Sequence, residues 1–415
     1  MRRDTLELLR CPFCGGRLNL VDSVFHETAG DDILHGTLGC HCCAFPVVDG
    51  IPVIHLQDAS HAARQLVEAR KPAEAVRRLF GIEDGDTAER FDAAIASPTS
   101  TYRDIVESLG PGFEGGYFLY RFSDPTFVVA DAVVRAVAGT VLHPGDRAID
   151  VCGGSGHLTR TLAAAGCERP FLADLYYSKL WLAMRFAAPG CEVVCCDGNS
   201  PLPFAAGAFR FAVCSDAYHY IWTKRLFAGE MMQLVRGGGT VVISHAHNMW
   251  QWNPSAGMPL PPDAYAALFS DMSPRVFGEA RLLADVAADR PLDLGTVHAA
   301  SELNDDPALT LIASPDPRVF AAHQPADRTT RGAMAASGHI NPLYARERLD
   351  GAWRLRLQFP SGDYEMEYGA CRQYLPESVV VEADVIAALE SGTPHPRLAD
   401  LRRQRVVLDL PARYL

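Results

Sequence analysis

Lysine and long apolar runs are both scarce in this 415-residue sequence. Lysine occurs only at Lys71, Lys179 and Lys224, so arginine carries nearly all of the positive charge, and the formal net charge is −12. That charge argues against a broad nucleic-acid surface, whose affinity comes largely from lysine and arginine on phosphates. No stretch of about 18 apolar residues occurs, so no membrane-spanning helix is expected.

The first residues, MRRDTLELLRCPFC, are basic but lack the apolar run of a secretion signal. We therefore expect a cytoplasmic protein, in which most of the scattered cysteines are reduced, buried thiols. Hydrophobic residues make up 48% and charged residues 21% of the chain, which indicates a packed globular protein. The length predicts two or three domains.

Changes in composition divide the chain into four predicted segments. They are a cysteine-bearing unit (1–56), a helical linker and lid (57–125), an alternating strand and helix core (126–315) and an α+β extension (316–415). The core strands are predicted at RAIDV, PFLADL, EVVCCD, FAVCSDA, TVVISHA and ALTLIAS. Strands separated by helices predict an α/β fold, a doubly wound and mostly parallel sheet with helices on both faces.

The extension has a different pattern. LYARERLDGAWRLRLQF and DYEMEYGACRQYL alternate polar and apolar residues, which predicts antiparallel strands, and VEADVIAALES predicts a helix. Three roles stay open for this segment: a cap on the active site, an acceptor-binding surface or a homodimer interface. In GHINPLY, the residues His339, Asn341 and Tyr344 are candidates for a substrate loop.

Five of the twelve cysteines lie within residues 11–43, in the pairs CPFC and CHCC. Two pairs about 25 residues apart can close a tetrahedral zinc site, and a small unit gains stability from a structural metal. The predicted ligands are Cys11, Cys14, Cys40 and Cys43, with Cys42 as the alternative fourth ligand. A disulfide is the competing interpretation. Four thiolates leave no open position, so the role is expected to be structural.

The blocks LLRCPFCGGRL and GTLGCHCCAFPVVDGIPVI resemble the Trm112-like zinc-ribbon family. This resemblance implies a domain that serves methyltransferases as a partner or as a fused accessory.

A glycine-rich turn follows the strand RAIDV. From Gly154 the chain reads GSGHLT, so Thr159 stands where a dinucleotide fingerprint needs its third glycine. The pattern from Asp150 through Cys152, Gly153, Gly154 and Gly156 instead resembles the first motif of class I S-adenosylmethionine-dependent methyltransferases, with Cys152 in the first glycine position. Backbone N–H groups at such a turn can hold the cofactor's carboxylate, and Asp150 can orient its amine.

Further acids follow successive predicted strands. Asp174, with Leu175 beside it, comes after the second strand, where a carboxylate can accept both ribose hydroxyls. Asp197 and Gly198 come after the third and are expected at the adenine, and Asp216 follows the fourth. Ligands of open parallel sheets bind at the carboxyl ends of the strands. The resemblance covers about residues 126–250 well and implies binding of S-adenosylmethionine.

Methyl transfer to a hydroxyl or an ammonium acceptor requires a base. The candidates follow the fourth and fifth strands and are Asp216, Tyr218, His219, Tyr220, His245 and His247. Tyr117, Tyr120 and Arg121 belong to the predicted lid, and Trp250 and Trp252 are candidates for a pocket wall.

The favoured function is methyl transfer to an oxygen or nitrogen of a small molecule, in keeping with a role in specialised metabolism. Two alternatives stay open. One is a tRNA or protein methyltransferase that docks through the zinc unit. The other is an S-adenosylmethionine-binding enzyme with different chemistry, such as a cyclisation. A non-catalytic scaffold is disfavoured because Asp174 and Asp197 are both present.

Overall fold

The computed structural model describes residues 1–110, 115–253, 255, 257–325 and 336–415. Within these ranges, a twelve-stranded sheet runs through the molecule and joins the cysteine-bearing unit to the predicted core. Two smaller sheets of the C-terminal region lie apart from it, together with a further two-stranded pair.

The N-terminal unit contributes the first five strands of the large sheet. They are β1 (Asn19–Leu20), β2 (Glu27–Ala29), β3 (Asp32–Gly39), β4 (Ala44–Val48) and β5 (Ile51–Ile54). β1, β3, β4 and β5 pair antiparallel in that order, and β5 then pairs in parallel with a core strand through Val53 and Ile54. The predicted segment boundaries stay predictions, since the sheet has no break after residue 56.

Within the described residues, six helices precede the first core strand. They are α1 (Asp58–Glu68), α2 (Pro72–Phe80), α3 (Gly85–Ala96), α4 (Tyr102–Ser108), α5 (Gly115–Phe118) and α6 (Pro125–Val141). The predicted lid GGYFLYRFSDPTF spans α5 and the start of α6, and positions 111–114 just before it lie outside the described residues. Asp124 caps α6 by accepting from the Phe127 N–H at 2.6 Å, and Pro125 occupies its first turn.

The core strands are β6 (Ala148–Val151), β7 (Phe171–Asp174), β8 (Glu192–Cys196), β9 (Phe211–Ser215), β10 (Thr240–His247), β11 (Pro274–Gly278) and β13 (Ala308–Ala313). The core helices are α7 (His157–Ala164), α8 (Tyr177–Leu182), α9 (Lys224–Leu234), α10 (Pro262–Leu268) and α11 (Glu279–Ala287). The strand order is β5-β8-β7-β6-β9-β10-β13-β11, and the pairings from β5 to β10 are parallel.

Burial explains why these segments form strands. All residues of β6, β7 and β8 are buried, as expected for strands covered on both faces. One apolar cluster packs α6, α7 and α8 on one face, and a second packs α9 and the cysteine-bearing unit on the other. The predicted doubly wound, mostly parallel fold is therefore confirmed, with β13 as an antiparallel strand beside β10.

The C-terminal region contains β12 (Leu292–Asp293) paired with β14 (Ala322–His323), β15 (Ala336–Ile340) paired with β19 (Val407–Pro411), and the sheet of β16 (Tyr344–Leu349), β17 (Ala352–Leu357) and β18 (Ser378–Glu382). Its helices are α12 (Gly362–Tyr368), α13 (Ala383–Ser391) and α14 (Pro396–Arg403).

One secondary-structure prediction in this region is wrong. The segment DYEMEYGACRQYL begins with the helix α12 and not with a strand. Ser361 caps this helix by accepting from the Tyr364 N–H, and the buried Tyr364 and Tyr368 are four residues apart on one face. The alternation of polar and apolar residues is therefore the pattern of a helix face that buries two tyrosines.

Over the same described ranges, every helix is either too short or too polar to traverse a bilayer.

Candidate active site

A cavity of about 700 Å³ lies at the carboxyl ends of the central strands. The predicted cofactor residues in its wall are Asp150, Cys152, Gly153, Gly154, Asp174, Leu175, Asp197, Gly198 and Asp216. Gly156 is set back from the wall, at the start of α7. The fold therefore brings almost all of the residues predicted to bind the cofactor into the wall of one cavity. A cavity of about 820 Å³ between α6, α11 and the C-terminal residues 402–409 contains none of these groups.

The glycine turn needs left-handed backbone at three alternate positions. Cys152, Gly154 and Gly156 have φ values of 59°, 56° and 78°. The first is a non-glycine residue, so this backbone conformation costs some free energy there, about 1–3 kcal/mol. Gly156 also has no room for a side chain, because a Cβ there would lie 2.9 Å from the Cβ of Ala183. The turn thus brings the chain close to both α8 and the cavity.

Asp150 is the buried acid at the base of this turn. Its Oδ2 accepts a hydrogen bond from the Thr159 hydroxyl at 2.8 Å, while its Oδ1 is buried without a partner among the described residues. Burial raises the pKa of Asp150 to about 7. A buried acceptor without a partner calls for a donor, and the ammonium of the cofactor would supply one. Thr159, which breaks the dinucleotide pattern, is therefore the residue that orients this acid.

Asp174 and Asp197 end two neighbouring strands. The two oxygens of Asp174 accept from the Gly154 and Tyr176 N–H groups, each at 2.9 Å. Asp197 accepts from the Asn199 N–H at 2.8 Å. These contacts fix both carboxylates at the cavity wall, where the ribose and adenine roles predicted for them stay predictions.

Gly153 offers a direct test of the turn. A Cβ there would lie 2.4 Å from the carboxylate of Asp150, so Gly153→Ala must displace that acid. We expect at least about a tenfold loss of S-adenosylmethionine affinity, or ~1.4 kcal/mol, by calorimetry. The control is Gly139→Ala in α6, where a Cβ would meet nothing within 4 Å. Equal affinities in the two variants would contradict the assignment.

The predicted catalytic residues have different environments in the structure. Asp216 and Tyr220 line the cavity. Tyr218 is buried, and its hydroxyl donates to the carbonyl of Lys224 at 2.9 Å, so the structure does not support it as a base. His219 and His247 are buried and stacked on each other, with ring centroids 3.5 Å apart.

His245 is engaged by a buried acid. Its Nδ1 lies 2.7 Å from an oxygen of Glu279, and its backbone N–H donates to the other oxygen at 2.7 Å. Burial alone would lower the pKa of His245, but the Glu279 carboxylate outweighs it and raises the pKa to about 9. A histidine held in this charged form is a donor and not a ready base.

Arg121 connects the lid to the strand ends. Its guanidinium donates to Asp216 at 2.9 Å, to the Tyr117 hydroxyl at 2.7 Å and to Asp124 at 3.3 Å. The sequence predicted Tyr117 and Arg121 at the site, and both line the cavity. Tyr120 instead packs against Tyr364 of α12.

The C-terminal region closes the cavity with side chains that sequence reasoning missed. Glu367 and Tyr368 of α12 belong to the wall, together with Ser255. Glu367 accepts from the Tyr368 hydroxyl at 2.6 Å and from the Ser255 hydroxyl at 3.1 Å, and the hydroxyls of Tyr368 and Tyr117 are in direct contact. Because these residues are far from the glycine turn along the chain, the sequence alone did not indicate that they share a cavity with it.

Other predicted pocket residues lie elsewhere. Asn341 is buried and accepts from the Ser123 hydroxyl at 2.9 Å, so it anchors the C-terminal region to the lid. Tyr344 donates to the carbonyl of Pro376, and His339 lies on β15. Trp250 and Trp252 are largely exposed. None of these side chains belongs to the described cavity wall.

The cysteine cluster has the dimensions of a metal site. The Sγ atoms of Cys11, Cys14, Cys40 and Cys42 lie within 4.8 Å of one another, and several neighbouring pairs are 3.6–3.7 Å apart. A tetrahedral zinc with Zn–S bonds of about 2.3 Å separates its sulfurs by about 3.8 Å. These cysteines are free thiols, as a metal site requires.

The fourth zinc ligand stays a prediction, and this geometry favours the alternative, Cys42, over Cys43. The group of four contains Cys42, while the Cys43 Sγ lies outside the group, 3.4 Å from the Cys42 Sγ. The carbonyl of Cys43 accepts from the Cys40 N–H at 3.0 Å, which closes a tight turn, while its side chain packs against the apolar cluster. The turn therefore directs Cys42 toward the other thiols.

Comparisons with known sequences agree with both parts of the site. The family model described as "Methyltransferase domain" matches residues 148–239, and the model described as "Trm112p-like protein" matches residues 2–50. The ubiquinone/menaquinone biosynthesis C-methyltransferase UbiE of Cupriavidus necator is 26% identical over 179 residues, which cover 41% of this chain and 68% of the relative. The Cupriavidus taiwanensis UbiE is 25% identical over the same length.

Solved structures resemble the chain more distantly. A phosphoethanolamine N-methyltransferase 2 of Haemonchus contortus is 15% identical, covers 55% of this chain and 61% of its own, and has a TM-score of 0.37. A chain from the complex of the Haloferax volcanii Trm112 methyltransferase activator with a methyltransferase is 17% identical, covers 45% and 90%, and has a TM-score of 0.33. Because these scores are below 0.5, the class rests on the sequence matches and on the site.

The glycine turn, the acids at successive strand ends and the two family matches define the class. The chain is an S-adenosylmethionine-dependent methyltransferase. It carries a Trm112-like domain at its N-terminal end. When bound, the cofactor supplies a methyl carbon activated by the adjoining sulfonium.

Proposed function

We propose that the protein transfers a methyl group to an oxygen or nitrogen of a small molecule held between the glycine turn and α12. One observation carries the proposal: Glu367 and Tyr368 of the C-terminal region share a wall with Asp150 and Asp174. A cavity of about 700 Å³ falls in the range of small-molecule sites, roughly 300–1,000 Å³. The helix α12 contributes to this wall, so an acceptor bound between it and the glycine turn must fit within that volume.

Charge supports the same class of acceptor. The wall contains five carboxylates, at Asp150, Asp174, Asp197, Asp216 and Glu367, against the cations Arg121 and Lys179. Arg121 is already engaged by Asp124 and Asp216. At the acceptor end, where Asp216 and Glu367 are not assigned to the cofactor, a phosphate group would meet repulsion unless a cation lies beside it, whereas a neutral alcohol, a phenol or an amine would not.

The residues divide the work of the reaction. Asp150, Asp174 and Asp197 hold and orient the cofactor. Arg121 fixes the carboxylate of Asp216 at the cavity wall, and this carboxylate positions the acceptor. Glu367 is the carboxylate that can take the acceptor's proton, since it lies in the wall and is tied to Tyr368 and Ser255.

We also propose that Cys11, Cys14, Cys40 and Cys42 hold a structural zinc ion. Four thiolates at tetrahedral spacing support this assignment, and the Trm112-like match supports it as well.

Glu367→Gln tests the proposed base. We expect kcat to fall by about 10²–10⁴-fold with little change in cofactor affinity, because the amide cannot take a proton. The matched control is Glu365→Gln on the same helix, where Glu365 forms an exposed ion pair with Arg372. Steady-state kinetics and calorimetry check this; an equal loss in both variants would rule out the role of Glu367.

The acceptor class needs a separate experiment. The full chain is incubated with methyl-labelled cofactor and three fractions: low-molecular-weight metabolites, tRNA and protein. Label in metabolites supports the proposal, and label confined to tRNA or protein overturns it. Analysis of the labelled product also separates oxygen and nitrogen acceptors from carbon, since the UbiE relatives are named as C-methyltransferases.

A further inference from the structure

A second group of metal-ligating side chains lies beneath the acceptor end of the cavity. Asp216, His219 and His247 each offer a ligand atom, and these atoms lie within 4.8 Å of one another. They come from the end of β9, from the turn Tyr218–Tyr220 and from the end of β10. Parallel pairing of β9 with β10 brings these three positions to one edge of the sheet.

His219 has no explanation as an ordinary core residue. Its side chain is fully buried, and neither ring nitrogen has a hydrogen-bond partner among the described residues. Buried polar groups in proteins are nearly always paired, because an unpaired one loses its hydrogen bonds to water without replacement. An imidazole whose two nitrogens lack partners among the described residues, and which lies beside a second imidazole and a carboxylate, is a candidate metal ligand.

Main-chain contacts hold this turn in place, since the His219 carbonyl accepts from the Met258 N–H at 2.8 Å. The His219 and His247 rings are stacked, with an angle of 10° between their planes. An imidazole binds a metal through a lone pair in its ring plane, so one ring must rotate out of this stack for both to bind the same ion. Asp216 uses Oδ2 for its bond with Arg121, which leaves its second oxygen for another partner. Asp216 also adopts a left-handed backbone, with φ of 57°, a conformation often retained at functional positions.

We propose that Asp216, His219 and His247 bind a divalent transition-metal ion at the floor of the acceptor pocket. Two imidazoles and one carboxylate suit ions such as Mn²⁺, Fe²⁺ or Zn²⁺, and three protein ligands leave coordination positions open. Asp216 lines the cavity, whereas His219 and His247 are buried and do not belong to its described wall, so the ion would be reached from the Asp216 side. The assignment of the metal site stands on its own ligands, while a role in binding an acceptor hydroxyl rests on the proposed function.

Metal content of the full chain tests the site. After dialysis against Zn²⁺ and removal of free ion, we expect about two equivalents in the unchanged protein and about one in His247→Phe, which keeps an aromatic ring at this position but removes the nitrogens. His219→Phe should behave in the same way. The control His61→Phe, at an exposed position of α1, should retain both ions.

Mn²⁺ gives a second measurement that needs no variant to fold. Mn²⁺ prefers nitrogen and oxygen ligands to thiolates, so titration followed by electron paramagnetic resonance should show about one site in the unchanged protein. Absence of Mn²⁺ binding together with about one zinc equivalent, lost in Cys40→Ser, would overturn the proposal. Metal bound without methylation of small molecules would overturn the proposed function alone, and methylation by a protein without this metal would overturn the catalytic role alone.

Discussion

Arg121→Met is expected to lower the free energy of unfolding by about 3–5 kcal/mol, because it leaves buried carboxylates without their cation. Arg121 donates to both Asp124 and Asp216, and the side chain of Asp124 is 0% exposed. Burial raises the pKa of Asp124 to about 6, and the charge of Arg121 opposes that rise. Loss of Arg121 would also release the carboxylate of Asp216 in the cavity wall, so turnover should fall with stability.

The pH dependence of this variant has a definite sign. An acid whose pKa is higher in the folded state than in the unfolded state binds more protons when folded. The free energy of unfolding therefore falls as the pH rises above the pKa that the acid has in the unfolded chain. Removing Arg121 raises the pKa of Asp124 further. The deficit of Arg121→Met should therefore be small near pH ~4 and grow toward neutral pH.

Urea unfolding of matched variants checks this expectation. Arg78→Met removes an ion pair with Glu83 whose members are 43% and 82% exposed, and it should cost less than about 1 kcal/mol. Asp124→Asn in the Arg121→Met background should restore part of the stability, because asparagine can still cap α6 without a buried charge. A deficit no larger than that of Arg78→Met, or one independent of pH, would contradict this expectation.

Cys40→Ser is expected to have an effect of similar size through the proposed zinc site. Structural zinc sites bind with roughly 10–16 kcal/mol, so losing a third of that free energy would cost about 3–5 kcal/mol. Cofactor affinity should also fall. The reason is that Val53 and Ile54 of β5 pair with Cys195 and Cys196 of β8, directly before Asp197.

Cys43→Ser is the matched control, since Cys43 is adjacent in sequence but outside the group of four thiols. It should retain zinc and cofactor affinity. Zinc analysis, thermal unfolding and calorimetry with S-adenosylmethionine are the measurements. Loss of zinc from Cys43→Ser with retention in Cys42→Ser would restore Cys43 as the fourth ligand.

The sequence revealed the core fold because buried parallel strands are nearly continuous apolar runs. β6, β8 and β9 stand out for this reason, and acids at their carboxyl ends locate the cofactor cavity. The tight turn of the backbone at Gly154 and Gly156 could also be predicted from the sequence. What these signals share is that each depends on neighbours a few residues away along the chain.

The rest of the site depends on tertiary contacts that a single sequence does not display. Glu367 enters the cavity only because α12 packs on the lid through Tyr368 and Tyr117. Thr159 looked like a missing glycine, although its hydroxyl orients Asp150. Tyr218 has the same local pattern as a site residue, and only the fold shows that its hydroxyl turns toward Lys224.

The pairing of β5 with β8 also bears on how the enzyme can be divided. Cutting the chain after residue 56 would remove the partner of β8, a strand with all five residues buried, and would end its backbone pairing on that side at Cys195 and Cys196. Such a bare apolar edge is a template for joining another chain. Expression of residues 57–415 alone should therefore yield protein that self-associates. In the full chain, the Trm112-like domain covers this edge of the sheet and so protects it from aggregation.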